Sequence, residues 1–193
     1  MGKLVWSTNF TLDGVVQDPD GHEGFERGGW FGEVGGEDLG EWAKIEFNEA
    51  LGTEALLLGK RSDDWFGSRW NDRSDEWAHR LNSLPKYVVS STLTDPVWAN
   101  STVLSGGVVE EVSKLKQEID GDIVIYGSYQ LGRTLLERQM IDELRLFLFP
   151  VALGAGERLF EATTDKRALR LLSDAPVGKQ LRLLTFEVLR DAA

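Results

Sequence analysis

Three short stretches carry residue types that hold phosphorylated ligands: Leu58-Gly59-Lys60-Arg61-Ser62, Val89-Ser90-Ser91-Thr92 and Tyr126-Gly127-Ser128-Tyr129. Each closes an apolar run with small or polar residues and then opens a helix or a turn. Glycine lets a ligand approach the main chain. Free N–H groups at a helix start favour phosphate. Lys60 and Arg61 add positive charge, and Ser62, Ser90 and Ser91 add hydroxyl donors. Any one of these turns is ordinary punctuation, and a Lys-Arg pair at a helix start is usually solvated. Together, at the carboxyl ends of neighbouring strands, they would hold a dinucleotide that bears an extra phosphate. The usual G-x-G-x-x-G fingerprint does not follow the first strand, and Gly154-Ala155-Gly156 lacks its third glycine, which disfavours a Rossmann fold.

Other chemistries narrow quickly. The chain has no cysteine, which excludes disulfides, thiolate zinc sites and a cysteine nucleophile. Its two histidines, His22 and His79, are too few for a histidine-rich metal site, so no metal is expected. A serine hydrolase would have to use one of them, and no nucleophile-elbow motif accompanies either. Asp18-Pro19-Asp20-Gly21-His22-Glu23 hints at a calcium loop, but Glu23 stands where that motif needs glycine. The 21 basic and 32 acidic residues leave a formal charge of −11 over 193 residues. A surface this acidic repels nucleic acid and anionic lipid, so neither is an expected partner. A local basic cluster can still bind a small anion. No apolar run suggests a signal peptide or a membrane span. A cytoplasmic location is the expectation.

The elements that must position these turns follow from hydrophobic periodicity. Leu4 to Phe10 reads as a first strand that ends at the Asp13-Gly14 turn. Asp18 to Gly36 reads as a long glycine-rich loop, and such loops are usually functional. Glu37 to Leu51 has helical spacing, with Leu39, Trp42, Ile45, Phe47 and Leu51 on one face. Ala55 to Leu58, Tyr87 to Val89 and Ile123 to Tyr126 read as buried strands. Helices are expected from Arg61 to Phe66, Asp75 to Leu84, Glu110 to Ile119 and Gln130 to Met140. Ile141 to Val151 reads as a strand, and Leu181 to Leu189 as a late antiparallel one. The pattern implies an α/β fold: a mixed, mostly parallel central sheet with helices on both faces and antiparallel C-terminal strands. A single domain spanning 1–193 is expected.

In their order, these blocks resemble the dihydrofolate-reductase-like family. The likeness is greatest to the reductase domain at the C-terminus of bifunctional riboflavin-biosynthesis deaminase–reductases and its free-standing relatives. It is carried by Ser7 to Gly14, Leu56 to Ser62 and Val88 to Ser91, and most specifically by Ile125-Tyr126-Gly127-Ser128, Ile141 to Leu146, Pro150-Val151, Leu153-Gly154, Gly156 and Leu159-Phe160. The resemblance implies the three-layer fold of that family and an NADPH-dependent reductase. It assigns Gly59, Lys60, Arg61, Ser62, Ser90 and Ser91 to the adenosine 2′-phosphate side. It assigns Gly127, Ser128, Tyr129, Gln130 and Leu131 to the pyrophosphate. It puts Asn9, Asp13 and Val15 beside the nicotinamide and substrate. A homodimer is also implied, for which the Leu146 to Leu153 strand and the late antiparallel strand offer apolar surface.

The chain departs from folate reductases in two respects: they carry consecutive glycines at the pyrophosphate turn, where here Ser128 follows Gly127, and the Trp-bearing loop and acidic helix expected for folate binding are not recognisable at the right spacing. A zinc deaminase signature is also missing. Asp13 is the candidate catalytic carboxyl, able to orient substrate or donate a proton after hydride transfer; a plain Asp-Gly turn is the competing reading. Glu157 is a candidate contact for substrate hydroxyls. Asp38, Glu41 and Glu46 read by default as surface charge. Trp30 and Phe31, set in the long loop, are placed to cover a flat ring. The substrate suggested first is 5-amino-6-(5-phosphoribosylamino)uracil, with dihydrofolate or another pterin as alternative. A non-catalytic nucleotide-binding protein on the same fold is the alternative from a different class.

Overall fold

The computed structural model describes residues 1–160 and 166–190. In chain order its elements are β1 (Lys3–Thr11), α1 (Trp30–Gly35), α2 (Leu39–Gly52), β2 (Thr53–Gly59), α3 (Lys60–Trp70), α4 (Glu76–Ser83), β3 (Lys86–Val89), β4 (Ser101–Leu104), α5 (Val108–Glu118), β5 (Asp122–Tyr126), α6 (Tyr129–Glu137), β6 (Glu143–Phe149), β7 (Leu169–Val177) and β8 (Leu181–Val188). Among the described residues the strands form one mixed sheet in the order β4-β3-β2-β5-β1-β6-β8-β7. The chain divides into two compact units, Met1–Trp6 with Glu46–Ile141, and Ser7–Ile45 with Asp142–Ala193. Strand β1 contributes its first half to one and its second half to the other.

The first unit is parallel. Strand β2 pairs with β3 (Gly59↔Val89) and with β5 (Leu56↔Val124), and β3 pairs with β4 (Val89↔Leu104). Leu56, Leu57, Leu58, Ile123, Val124 and Ile125 are fully buried. Strands covered on both faces read as unbroken apolar runs, which is why β2 and β5 were legible. The core between them and the helices gathers Leu56, Leu58, Trp70, Leu81, Trp98 and Val124. Phe66 stacks on Trp98 with ring centroids 4.9 Å apart. Strand β4 escaped the sequence reading because Ser101-Thr102-Val103-Leu104 is short, polar at its start and lies at the sheet edge.

Two buried charges lie beside this unit's long connection. Asp63, on α3, is fully buried and accepts from the main-chain N–H of Val97 (2.6 Å) and Trp98 (3.2 Å). Lys86 is also fully buried and donates to the carbonyls of Leu84 (2.8 Å) and Asn82 (3.2 Å). Its ammonium lies 4.6 Å from the centre of the Trp98 ring.

The second unit is antiparallel: β6 pairs with β8 (Leu146↔Leu184) and β7 pairs with β8 (Val177↔Leu181). Its core holds Trp30, Phe147, Phe149, Val177 and Leu181. Strand β7 was missed because Asp174 and Pro176 interrupt its apolar residues; edge strands tolerate both. Four expectations are corrected here. The glycine-rich stretch does not stay a loop throughout, since Trp30–Gly35 forms α1. Trp30 is buried edge-on against Phe149, and Phe31 packs on Trp42, so neither is free to cover a ligand ring. The Leu146 to Leu153 stretch does not offer apolar surface along β6, because Leu146, Phe147 and Phe149 are buried. In α2, Leu51 is exposed rather than on the packed face.

The buried lysine makes a pH prediction. Burial is the larger influence and pushes Lys86 from 10.5 down to about 8, with the Asp63 charge opposing it. Below about 8 the lysine is charged in both folded and unfolded chains. Between about 8 and 10.5 only the unfolded chain holds the proton, so native stability rises with pH across that window. Urea unfolding should therefore show wild type gaining on Lys86→Met as pH is raised from 8 to 10.5. A stability difference that stays flat contradicts this account.

Candidate functional site

Parallel pairing brings the carboxyl ends of β2, β3 and β5 to one edge of the first unit. There the turns after β2 and β5 are joined by side chains. The Gly59 N–H donates to the Ser128 hydroxyl (3.1 Å), which donates to the Ser62 hydroxyl (2.7 Å). Arg61 donates to the Tyr129 hydroxyl (2.9 Å). Arg133 lies over the same ring, 5.3 Å from its centre. The β5–α6 turn is fixed from beneath by Trp6, whose indole N–H donates to the Gly127 carbonyl (2.8 Å). A Cβ at Gly132 would collide with that indole, so α6 can sit here only with glycine at this position.

The third stretch lies one strand over, set by the Gly59↔Val89 register. Ser90 spends its hydroxyl locally, accepting from Thr92 (3.3 Å) and Leu93 (3.1 Å) N–H groups, while Ser91 is exposed. Lys60 and Gln130 are exposed, and Leu131 is half-buried on the first turn of α6. Helix α6 carries no acid in its first turn. The first-turn acid of α3, Asp63, is occupied by the Val97 and Trp98 amides. The start of α6 therefore presents N–H groups unopposed by a first-turn carboxylate, whereas α3 keeps Asp63 in its first turn.

A fourth strand-end turn, Ser105-Gly106-Gly107 after β4, was not singled out from sequence because β4 itself was not. It is ill suited to an anion. Glu110 and Glu111 fold back over it, and a Cβ at Gly107 or Gly106 would meet their carboxylates. The signal for Arg133 was its helical spacing from Tyr129, one turn along α6.

In the second unit, Asp13 is held by three donors: the Thr11 hydroxyl (2.7 Å) and the main-chain N–H groups of Leu153 (3.1 Å) and Gly154 (2.7 Å). Partial burial alone would raise its pKa. The hydrogen bonds from Thr11, Gly154 and Leu153 outweigh that and hold the carboxyl below its ordinary range. Arg158 reaches back to the Asp13 carbonyl (3.1 Å), and Arg27 donates to the Leu153 carbonyl. Asn9 accepts from the Trp42 indole N–H (2.9 Å). Val15 is fully buried, and a Cβ on Gly156 would press within 2.8 Å of its methyl. Glu157 is half-buried, its N–H on the Gln17 side chain (3.0 Å).

Two carboxylates read as surface charge are not. Asp38 is buried and accepts from Lys179 (2.9 Å) and Gln180 (2.7 Å) N–H groups, which lower its pKa. Glu46 is also buried. Asp18, read as part of a plain loop, is fully buried and accepts from the Glu23 and Phe25 amides (2.9 Å each). It organises the glycine-rich segment. Among the described residues no cluster of histidine and acidic side chains is arranged for a metal, and no helix is long and apolar enough to cross a membrane.

Comparison with known proteins fits this architecture. The RibD C-terminal domain model matches residues 2–183. The chain belongs to this family. RibD C-terminal domains are a family of reductases, and the chain is reductase-like on that ground. A solved structure described as "Putative riboflavin biosynthesis protein", from Shewanella sp. PV-4, is 20% identical with a TM-score of 0.75, covering 97% of this chain and 99% of that one. A pyrimidine reductase-like protein from Corynebacterium diphtheriae gives a TM-score of 0.67 at 14% identity over 98% and 93% of the two chains. Both establish the dihydrofolate-reductase-like fold expected from sequence. The chain spans 59% of Acinetobacter baumannii RibD, at 15% identity and a TM-score of 0.60 over 98% of its own length. The uncharacterized protein YyaP of Bacillus subtilis is 30% identical over 125 residues, 62% of this chain and 66% of YyaP.

The Asp13 geometry predicts a structural cost. Asp13→Ala orphans the Leu153 and Gly154 amides and should lower the unfolding free energy by about 1–2 kcal/mol. Asp13→Asn, which keeps one carbonyl acceptor, should lose less. Equal losses in urea unfolding would contradict the latch.

Proposed function

We propose that this chain is an NADPH-dependent reductase of a small heterocyclic or sugar-linked metabolite, resembling the reductase of riboflavin biosynthesis. The observation that carries the reading is the Gly59–Ser128–Ser62 hydrogen-bond bridge, which joins two of the three ligand-type turns at one sheet edge. Family membership supports the same chemistry. The residues fit the cofactor in kind: a start of α6 with no acid in its first turn, a cationic pair at Lys60 and Arg61, and a glycine turn at Gly127.

NADPH, when bound, supplies a hydride to an electrophilic carbon such as a C=N or masked carbonyl. The chain's own residues bind and orient. Gly59, Lys60, Arg61, Ser62, Ser90 and Ser91 take the 2′-phosphate side. The amides of Gly127 to Leu131 take the pyrophosphate at the start of α6. Asn9, with its amide oxygen on Trp42, keeps its NH₂ as a donor to substrate. Asp13 acts as an anion that holds the 153–154 turn rather than as a proton source, because its hydrogen bonds stabilise the ionised form. Glu157, on that same connection, contacts substrate hydroxyls. We further propose a single domain that works in the cytoplasm as a homodimer. The exposed Leu171 and Leu172 on β7 offer a second copy apolar surface.

One observation favours a non-catalytic binding protein as second reading: a carboxyl held as an anion leaves the protonation step to water or to the substrate itself. NADPH oxidation, followed by absorbance with 5-amino-6-(5-phosphoribosylamino)uracil or a pterin, separates the two. Turnover supports the reductase, and tight binding without turnover supports the alternative. Lys60→Ala should weaken NADPH about ten-fold while leaving NADH nearly unchanged, because only NADPH carries the 2′-phosphate. Equal effects on both cofactors, read by tryptophan fluorescence, would contradict the assignment.

A further inference from the structure

Arg61 is an exposed side chain whose tip is anchored by a buried one. Its guanidinium Nη2 donates to the Tyr129 hydroxyl at 2.9 Å and lies 5.3 Å from the centre of the same ring. Tyr129 opens α6, 68 residues further along the chain, and is buried. Arg133, one turn along that helix, sets a second guanidinium 5.3 Å from the ring centre. An exposed arginine ordinarily samples many rotamers, and ordering it costs entropy. Here a ring from another helix has already ordered it.

The bond is not needed to join the two turns. The Gly59–Ser128–Ser62 bridge does that, and Trp6 fixes the Gly127 carbonyl. Loss of the Tyr129 hydroxyl would leave those bonds in place. What the hydroxyl determines is where the Arg61 guanidinium stands. It engages one of the five N–H donors that a guanidinium carries, and with the ring contact it sets the direction of the planar fork. A phenol also orients a cation without cancelling its charge, as a carboxylate in its place would.

We infer that the Tyr129 hydroxyl is a positioning group for Arg61 and, through it, a determinant of the preference for a 2′-phosphorylated cofactor. The inference rests on the reductase reading, which puts Arg61 on the 2′-phosphate side. Tyr129 then has two separate duties. Its main-chain N–H belongs to the pyrophosphate turn, and its side chain serves the other end of the cofactor through Arg61. A guanidinium set in advance meets the 2′-phosphate with charge-assisted bonds and little further ordering. That advance ordering is worth about three- to ten-fold in affinity. A cofactor without the 2′-phosphate gains nothing from it.

The test uses the full chain as wild type, Tyr129→Phe, Arg61→Met and the double variant, each titrated calorimetrically with NADPH and with NADH. Tyr129→Phe keeps the ring and removes only the hydroxyl. It should weaken NADPH about three- to ten-fold and leave NADH within about two-fold. In the Arg61→Met background the same change should alter NADPH affinity by less than about two-fold, because the group it positions is gone. Tyr129→Met, which removes the ring as well, should lose at least as much of the NADPH preference; it carries the test should Tyr129→Phe fold poorly. Equal weakening toward both cofactors is the mark of a merely structural role and overturns the inference. Full additivity with Arg61→Met overturns it too, as does an unchanged NADPH preference, and in either case the reductase reading stands. Should wild type bind neither cofactor, the reductase reading falls and takes the inference with it.

Discussion

Parallel pairing of β2, β3, β4 and β5 is the constraint from which the rest follows. Parallel strands run the same way, so every chain reversal at their carboxyl ends falls on one edge. The register then fixes neighbours: Gly59 beside Val89, and Val89 beside Leu104. Such strands must be covered on both faces, which is why the middles of β2 and β5 are fully buried. Burial of the strands makes the edge rigid. The turns beyond them carry small and polar residues. A ligand-type turn at one strand end is uninformative, whereas three turns held to one edge by the sheet itself make a surface with a chemistry.

The acidity of the chain looks different once the structure is known. Several carboxylates are not solvated charge but acceptors for main-chain amides that secondary structure leaves unpaired. Asp63 takes Val97 and Trp98, Asp18 takes Glu23 and Phe25, Asp38 takes Lys179 and Gln180, and Asp13 takes Leu153 and Gly154. Buried main-chain N–H groups need partners, and long irregular connections supply many orphans. Aspartate, short and with two acceptor oxygens, answers two at once. Where this happens to a helix's own first-turn acid, as with Asp63 in α3, the carboxylate keeps its charge but is engaged by the Val97 and Trp98 amides. Where it does not, as with Glu110 and Glu111 in α5, the acid folds back over the glycines and closes the turn to anions.

The sequence was informative where burial is two-sided or where glycine marks a turn, and uninformative where an element is held by a single partner. Strands β2, β3 and β5, and the turns after them, could be read directly. Strands β4 and β7 could not, because an edge strand needs only one hydrogen-bonded neighbour and tolerates the polar residues and proline that mask its pattern. Helix α1 was hidden by its glycines, although Trp30 and Phe31 within it are packed core. The role of Asp38 depends on amides brought from elsewhere in the chain, 141 residues away in the case of Lys179, and no local spacing encodes that. Ser128 was legible as a departure from a two-glycine turn. The bonds it makes to Gly59 and Ser62 were not, since they join residues nearly seventy positions apart.

Hydrogen exchange of the main-chain amides, measured with and without NADPH, tests the central claim most directly. If the parallel edge is the phosphate shelf, the cofactor should slow exchange at residues 59–62, 90–93 and 127–131 and leave 105–110, guarded by its own glutamates, as it was. Slowing confined to other segments, or centred on 105–110, would contradict the account.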